Sequence, residues 1–265
     1  QRGTSASTSG YKTVDRFYLN TDGVDEEPTQ AQVDVSSGTT PYTEGFRKAY
    51  KITNGNQTGG AGAADNIIIQ YYIEAQDIAS SGWNYTSSSS FLTLSFYVKA
   101  SVAQNYFGRL MAIDGTQYNY PFETGSLTAD TWTKITKTIP GNSNLQFDND
   151  VNRGLSVEFC IFRGTNKTGS VTLDTWAAYS SATRIPDMTS TWYTTNDATF
   201  EITGVQLEVG PQATAFEHRS FGEEERLCQR YYYRQSAEHQ YMRYACHGQT
   251  PSASGAQYVY QLPVR

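Results

Sequence analysis

Apolar and polar residues alternate with a period of two along much of the chain. The pattern is clearest at Leu92, Leu94, Phe96 and Val98, with Thr93, Ser95, Tyr97 and Lys99 on the other parity. Successive side chains of an extended strand point to opposite faces, so this stretch predicts a half-buried strand. Leu155, Val157, Phe159 and Ile161 repeat the pattern against Ser156, Glu158 and Cys160, and a Thr-rich run from Thr131 to Ile139 predicts a further strand closed by Pro140-Gly141. From Phe200 to Val209 the parity changes: Phe200 and Ile202 set one phase, and Val205, Leu207 and Val209 set the other. A bulge at Thr203-Gly204 would keep all five apolar side chains on one face.

Gly, Asn, Asp and Ser clusters separate these segments. No amphipathic pattern of helical length precedes residue 220, and no internal repeat is visible. The chain therefore reads as all-β: an antiparallel jelly-roll sandwich, then a short helix, then a small, incomplete β-rich C-terminal unit. Composition shifts near residue 216. Glu223, Glu224 and Glu225 lead and Arg226 and Arg230 follow, an order that suits a helix dipole. This places a jelly-roll domain over 1–216, a linker with a short helix over 217–230, and the start of an oligomerisation or tip domain over 231–265. That last stretch is too short to bury a core alone, so it is expected to pair with further sequence or a neighbouring subunit. Long connections at 55–65, 80–90 and 175–197 are the natural places for a binding surface on a rigid β scaffold.

Composition narrows the picture. Of 265 residues, 38% are hydrophobic and 14% aromatic, which excludes disorder as the main state, while 17% charged is too few for long exposed helices. A net charge of −6 supplies no field for a phosphate backbone, so nucleic acid is not an expected partner. The longest aliphatic run, Ile67 to Ile69, is far short of a membrane span, and membrane insertion is not expected. The chain opens at Gln1 without a signal peptide and ends inside an alternating stretch, which reads as an internal piece of a longer polypeptide. Three scattered cysteines do not make a disulfide framework.

No nucleophile elbow, zinc-protease helix or phosphate loop is present. Cys228, His239, Cys246 and His247 are zinc-binding types, but they lack a C-x-x-C pair and read as structural thiols and surface imidazoles. The loop from Asp148 to Gly154 offers oxygens at alternate positions, as a calcium loop does, yet its glycine and Glu158 fall out of step and a hairpin turn fits better. A structural calcium ion is the one ion this loop leaves room for; no other cofactor is expected. Asp148, Asp174 and Asp197 sit near turns, where Asp serves the backbone, so no catalytic pair is assigned and the chain is not expected to be an enzyme. Trp83, Tyr85, Trp176, Tyr179, Trp192 and Tyr193 fall in loop-like polar surroundings, where an exposed ring would stack on the apolar face of a sugar. These six are the candidate carbohydrate-binding residues.

The series Ala198-Thr199-Phe200-Glu201-Ile202-Thr203-Gly204-Val205-Gln206-Leu207-Glu208-Val209-Gly210 continues through Ala213-Thr214-Ala215-Phe216-Glu217-His218-Arg219 and Gly222-Glu223-Glu224 to Leu227-Cys228-Gln229-Arg230-Tyr231-Tyr232. It resembles a recurring signature of bacteriophage virion proteins, chiefly tail-fibre and other appendage proteins of marine phages. Weaker echoes occur at Gln1 to Ser5, Asp15-Arg16-Phe17, the Phe91 to Lys99 strand and Asp130-Thr131-Trp132. The resemblance implies a jelly roll like a carbohydrate-binding module, a non-enzymatic role at the virion surface, other virion proteins as partners, a homotrimer, and attachment to a host surface glycan. Two alternatives stand beside it: a capsid decoration or head-fibre protein, and a binding module of a polysaccharide-degrading enzyme.

Overall fold

The computed structural model describes residues 3–231, 247–252 and 255–259. The chain divides into two units, Gln1–Phe216 and Glu217–Arg265. In the first, the strands in chain order are β1 (Ser5–Ala6), β2 (Phe17–Asp22), β3 (Thr29–Asp34), β4 (Lys48–Thr53), β5 (Asn66–Glu74), β6 (Phe91–Ala100), β7 (Asn105–Ala112), β8 (Tyr118–Ser126), β9 (Thr133–Pro140), β10 (Arg153–Arg163), β11 (Ala177–Ala178) and β12 (Thr199–Val209). They form two six-stranded sheets, ordered β1-β3-β4-β12-β6-β9 and β11-β8-β7-β10-β5-β2. Every strand pairing is antiparallel. The chain passes from one sheet to the other at most steps and stays within a sheet only at β3–β4, β7–β8 and β10–β11. This winding makes the sandwich a jelly roll.

The alternation read from the sequence decides which side chains meet between the sheets. Leu92, Leu94, Phe96 and Val98 of β6 face Leu155, Val157, Phe159 and Ile161 of β10 in one continuous core. Phe96 packs edge-on against Phe159 at a centroid distance of 4.9 Å, bridging the layers. Each such buried side chain contributes about 1.5–3 kcal/mol. The parity change in β12 is also real: pairing with β6 slips between Thr203 and Gln206, and Gly204 takes φ 61°. An added Cβ at Gly204 would stand 2.6 Å from the Phe46 ring, so both backbone and space require glycine there. Four of the five apolar residues reach the core as expected. Val209, the last residue of the strand, does not; it is 47% exposed.

One expectation is corrected. β6 and β10 are not half-buried, since Thr93, Ser95, Tyr97, Ser156, Glu158 and Cys160 on the far parity are buried too. Period-two alternation marks the face that meets the core and carries no information about what lies over the other face. Behind β6, Tyr97 packs with Phe46, Ala49 and Val35, and Phe216 sits edge-on to Phe46 at 4.8 Å. The turn α1 (Thr40–Thr43) brings Phe46 there. A second short helix, α2 (Ala75–Ala79), follows β5, and a third, α3 (Thr191–Thr194), precedes β12.

The second unit opens with helix α4 (Phe221–Cys228). Ser220 Oγ accepts the Glu223 amide while the Glu223 carboxylate accepts the Ser220 amide, a capping box that explains why the helix starts where it does. Farther on, β13 (His247–Ser252) and β14 (Gly255–Val259) pair antiparallel. His239 and Cys246 lie outside the described residues. Among the described residues no helix is long and apolar enough to cross a membrane.

Candidate functional site: the outward face of the second sheet

Cross-strand register assembles the site. Tyr18 of β2 lies beside Gln70 of β5, Gln70 beside Glu158 of β10, and Glu158 beside Arg109 of β7, so four polar side chains form one row across the sheet. The neighbouring row runs Tyr72, Ser156, Met111 and Asn119. Both rows belong to the face turned away from the core, as the alternation demands.

These side chains are tied into a single network. Tyr72 Oη donates to Gln70 Oε1 at 2.8 Å, and Gln70 Nε2 donates to Glu158 Oε1 at 2.9 Å. Arg109 grips the same carboxylate with two prongs, Nε to Oε2 at 2.6 Å and Nη2 to Oε1 at 2.8 Å, and its Nη1 reaches Asn119 Oδ1 at 3.3 Å. Arg163 Nη2 adds a fourth donor, to Oε2 at 3.1 Å. Burial alone would raise the Glu158 carboxyl, but Arg109, Arg163 and the Gln70 amide outweigh it and hold the group at about 2. Burial alone would lower the Arg109 guanidinium, but Glu158 outweighs it, so Arg109 holds its proton more tightly than usual.

Tyrosines and arginines border this network. Tyr18 meets Tyr11 edge-on at 5.0 Å, and the Arg153 guanidinium lies 4.5 Å from the centre of the Tyr72 ring. At the other side, the Tyr179 ring stands 5.6 Å from the Arg109 guanidinium and 5.5 Å from that of Arg184. Tyr11, Tyr18, Tyr72, Tyr179 and Arg184 are all half-buried, so the rings keep part of their surface accessible.

A long segment, residues 164–198, covers the rest of the face. Ile185, Leu173 and Met188 lie over Ile68, Phe107 and Cys160, the third row of the sheet. β11 fastens the segment to β8. At its end α3 drives Trp192 and Tyr193 fully into the interior, where Trp192 Nε1 donates to the Thr199 carbonyl at 3.0 Å and Tyr193 Oη donates to Asp65 Oδ2 at 2.9 Å. Asn54 Nδ2 then binds the carbonyls of Trp192, Tyr193 and Thr195 at 3.3, 2.7 and 3.0 Å.

The six aromatic residues singled out from the sequence do not form one surface. Trp83, Trp176, Trp192 and Tyr193 are buried and offer no face to a sugar. Trp83 packs with Tyr85 and Phe147, and Trp176 Nε1 donates to the Pro140 carbonyl at 2.7 Å. Tyr193 stacks on Phe162 at 4.2 Å. The correction has a simple cause: polar neighbours identify a loop, but a ring worth 150–250 Å² of apolar surface turns inward wherever the loop crosses the open end of a sandwich. Tyr85 is half-buried against Phe147, away from the outward face. Tyr179 alone of the six borders the network. Sequence reasoning missed Tyr18, Gln70, Tyr72, Arg109, Glu158, Arg163 and Arg184. Glu158 and Arg109 carried a usable signal, since a charge in the middle of an otherwise apolar strand needs a partner on the adjacent one.

The Asp148 to Gly154 loop forms turns, with the Asp150 carboxylate accepting both the backbone and side-chain N–H groups of Asn152. Among the described residues no cluster of three or more His, Cys, Asp or Glu side chains could hold a metal ion. An open cleft of about 470 Å³, lined by Glu26, Glu27, Asn54, Asn56, Asn196 and Asp197, includes Thr29 and Thr53 of the first sheet and is separate from the outward face of the second.

No family model matches the chain, and no curated protein matches it. Among solved structures, a putative sugar binding protein from Bacteroides thetaiotaomicron is similar at 12% identity and a TM-score of 0.40, covering 77% of this chain and 96% of that one. The family 11 carbohydrate-binding module from Clostridium thermocellum, in complex with a β-1,3-1,4-mixed-linked tetrasaccharide, is similar at 12% identity and 0.34, covering 82% and 100%. The CBM22-1–GH10 modules of Clostridium thermocellum xylanase 10B, complexed with xylohexaose, are similar at 8% identity and 0.37, covering 82% of this chain and 29% of that one. Likenesses at this level carry no inference about ligand or chemistry.

Proposed function

We propose that the sandwich is a non-catalytic glycan-binding module that uses the outward face of the second sheet. One observation carries the reading. Half-exposed tyrosines, Tyr18 and Tyr72, flank the half-buried amide of Gln70, which hydrogen bonds to Tyr72 and to the buried Glu158–Arg109 pair lock in place. Sugar hydroxyls are bound by such planar groups and pyranose faces by such rings, and a prelocked network lowers the entropic cost of binding. A glycan array probed with the whole chain tests the proposal, with Tyr72→Ala expected to weaken each positive signal roughly tenfold. An array without any signal would refute it.

The finer role we propose is a module of a phage tail fibre or spike, trimeric, attached to other virion proteins and binding a host surface glycan. Its support is the ordered series from Ala198 to Tyr232. Labelled antibody on intact particles, viewed by electron microscopy, decides the matter. Label on the capsid lattice would make the protein a decoration or head fibre, and release of reducing sugar by the parent polypeptide would make it a module of a polysaccharide-degrading enzyme.

A further inference from the structure

The network around Glu158 has more positive charge than it can neutralise. Three guanidiniums gather at this end of the face: Arg109 and Arg163 contact Glu158 directly, and Arg184 shares the Tyr179 ring with Arg109. The single carboxylate among them is saturated, because its two oxygens already accept from Arg109 twice, Arg163 once and Gln70 once. Arg163 nevertheless retains two donors, Nε and Nη1, that are buried and have no hydrogen-bond partner, although its side chain is only 1% exposed. Buried guanidinium N–H groups without an acceptor are unfavourable, so the arrangement calls for one.

Arg184 is the partly exposed member of the cluster. It is half-buried, its side chain forms a hydrogen bond to the Ser181 carbonyl, and it pairs with no carboxylate among the described residues. Its burial, and then the nearby Arg163, lower its hold on its proton. Like charges held together in this way are relieved by an anion.

We propose that Arg163, Arg184 and Tyr179 receive the carboxylate or sulfate group of an acidic saccharide, so that the module selects anionic over neutral glycans. The inference rests on the glycan-binding reading above. A planar carboxylate or a sulfate oxygen pair fits the donor fork of a guanidinium, and the Tyr179 ring supplies a wall for the sugar that carries it.

The experiment is calorimetric titration of the whole chain with oligogalacturonate, its methyl ester, a sulfated galacto-oligosaccharide, a neutral xylo-oligosaccharide and inorganic sulfate, each repeated on Arg184→Gln. That substitution keeps both hydrogen bonds of the Arg184 backbone, N to the Lys167 carbonyl and O from Asn119 Nδ2, and removes the side-chain bond to the Ser181 carbonyl; a melting curve checks the fold. At least one acidic oligosaccharide is expected to bind roughly tenfold or more tightly than the methyl ester and the xylo-oligosaccharide, with the advantage erased in Arg184→Gln. The carboxylated and sulfated arms show which anion is preferred. If neutral and acidic sugars bind alike, the anion inference is overturned while glycan binding stands. If no sugar binds but inorganic sulfate does, and Arg184→Gln abolishes it, the anion site stands and the glycan reading falls. If nothing binds, internal water satisfies Arg163 and both are overturned.

Discussion

The carboxylate at the centre of the outward face gives the sharpest test of the energetics. Glu158→Gln keeps the shape and leaves a group that still hydrogen-bonds, but it removes the negative charge facing Arg109 and Arg163. Breaking a buried ion pair from one side costs about 3–5 kcal/mol, because the partner charge stays behind unpaired. The acid titration provides an independent magnitude. A carboxyl held at about 2 in the fold, against 4.5 for the free group, contributes about 3 kcal/mol. Since the folded value is the lower one, that contribution is complete above pH 4.5 and is lost as pH falls towards 2. Urea unfolding between pH 2 and 7, followed by tryptophan fluorescence, measures it cleanly: Trp83, Trp132, Trp176 and Trp192 all belong to the sandwich, so the second unit adds nothing to the signal. Wild type should lose about 3 kcal/mol more than Glu158→Gln between pH 5 and 2. The other carboxylates titrate in both proteins and cancel. Parallel acid limbs for the two would refute the claim that Glu158 is ionised and stabilising.

Other substitutions probe the scaffold. Gly108→Ala should destabilise by about 1–3 kcal/mol, since an added Cβ would press on the Phe122 ring and stand 2.7 Å from the Glu158 carbonyl; an unchanged melting temperature would show that β7 and β10 have room to part. Trp192→Ala should cost about 3–5 kcal/mol in chemical denaturation while leaving sugar affinity per folded molecule unchanged, and a selective loss of affinity would return Trp192 to the binding surface. Ser220→Ala removes the cap of α4, and the Glu223 amide should then exchange roughly fivefold faster by NMR.

Much of the sandwich is legible in the sequence, for a physical reason. Alternation at 92–98 and 155–161 is imposed by burial on one face, and the parity change in β12 leaves its trace at Gly204 because only a bulge with positive φ reconciles the two phases. The short helix announces itself through the acidic residues at its start and the arginines that follow, and its Ser220–Glu223 cap is equally local. The site was mostly hidden. Tyr18, Gln70, Glu158 and Arg109 lie up to about 140 residues apart in sequence and become neighbours only through antiparallel register, which no single strand encodes. The direction of a loop aromatic is equally nonlocal: Trp192 and Tyr193 turn inward because Asn54 and Asp65, distant in sequence, receive their segment.

The cover over the second sheet is moored at its ends by β11 on β8 and by the Trp192–Tyr193 plug that Asn54 ties down, and between them Asn119 of β8 holds the Arg184 carbonyl. Between these moorings the chain carries Tyr179 and Arg184 and contributes only Ile185 and Met188 to the packing beneath it. The Tyr179 and Arg184 side chains can therefore be exchanged while the backbone bonds of that stretch to its surroundings are kept. Under the glycan-binding proposal, specificity would then change by editing side chains on a tethered flap, much as a lock is rekeyed without recasting its body.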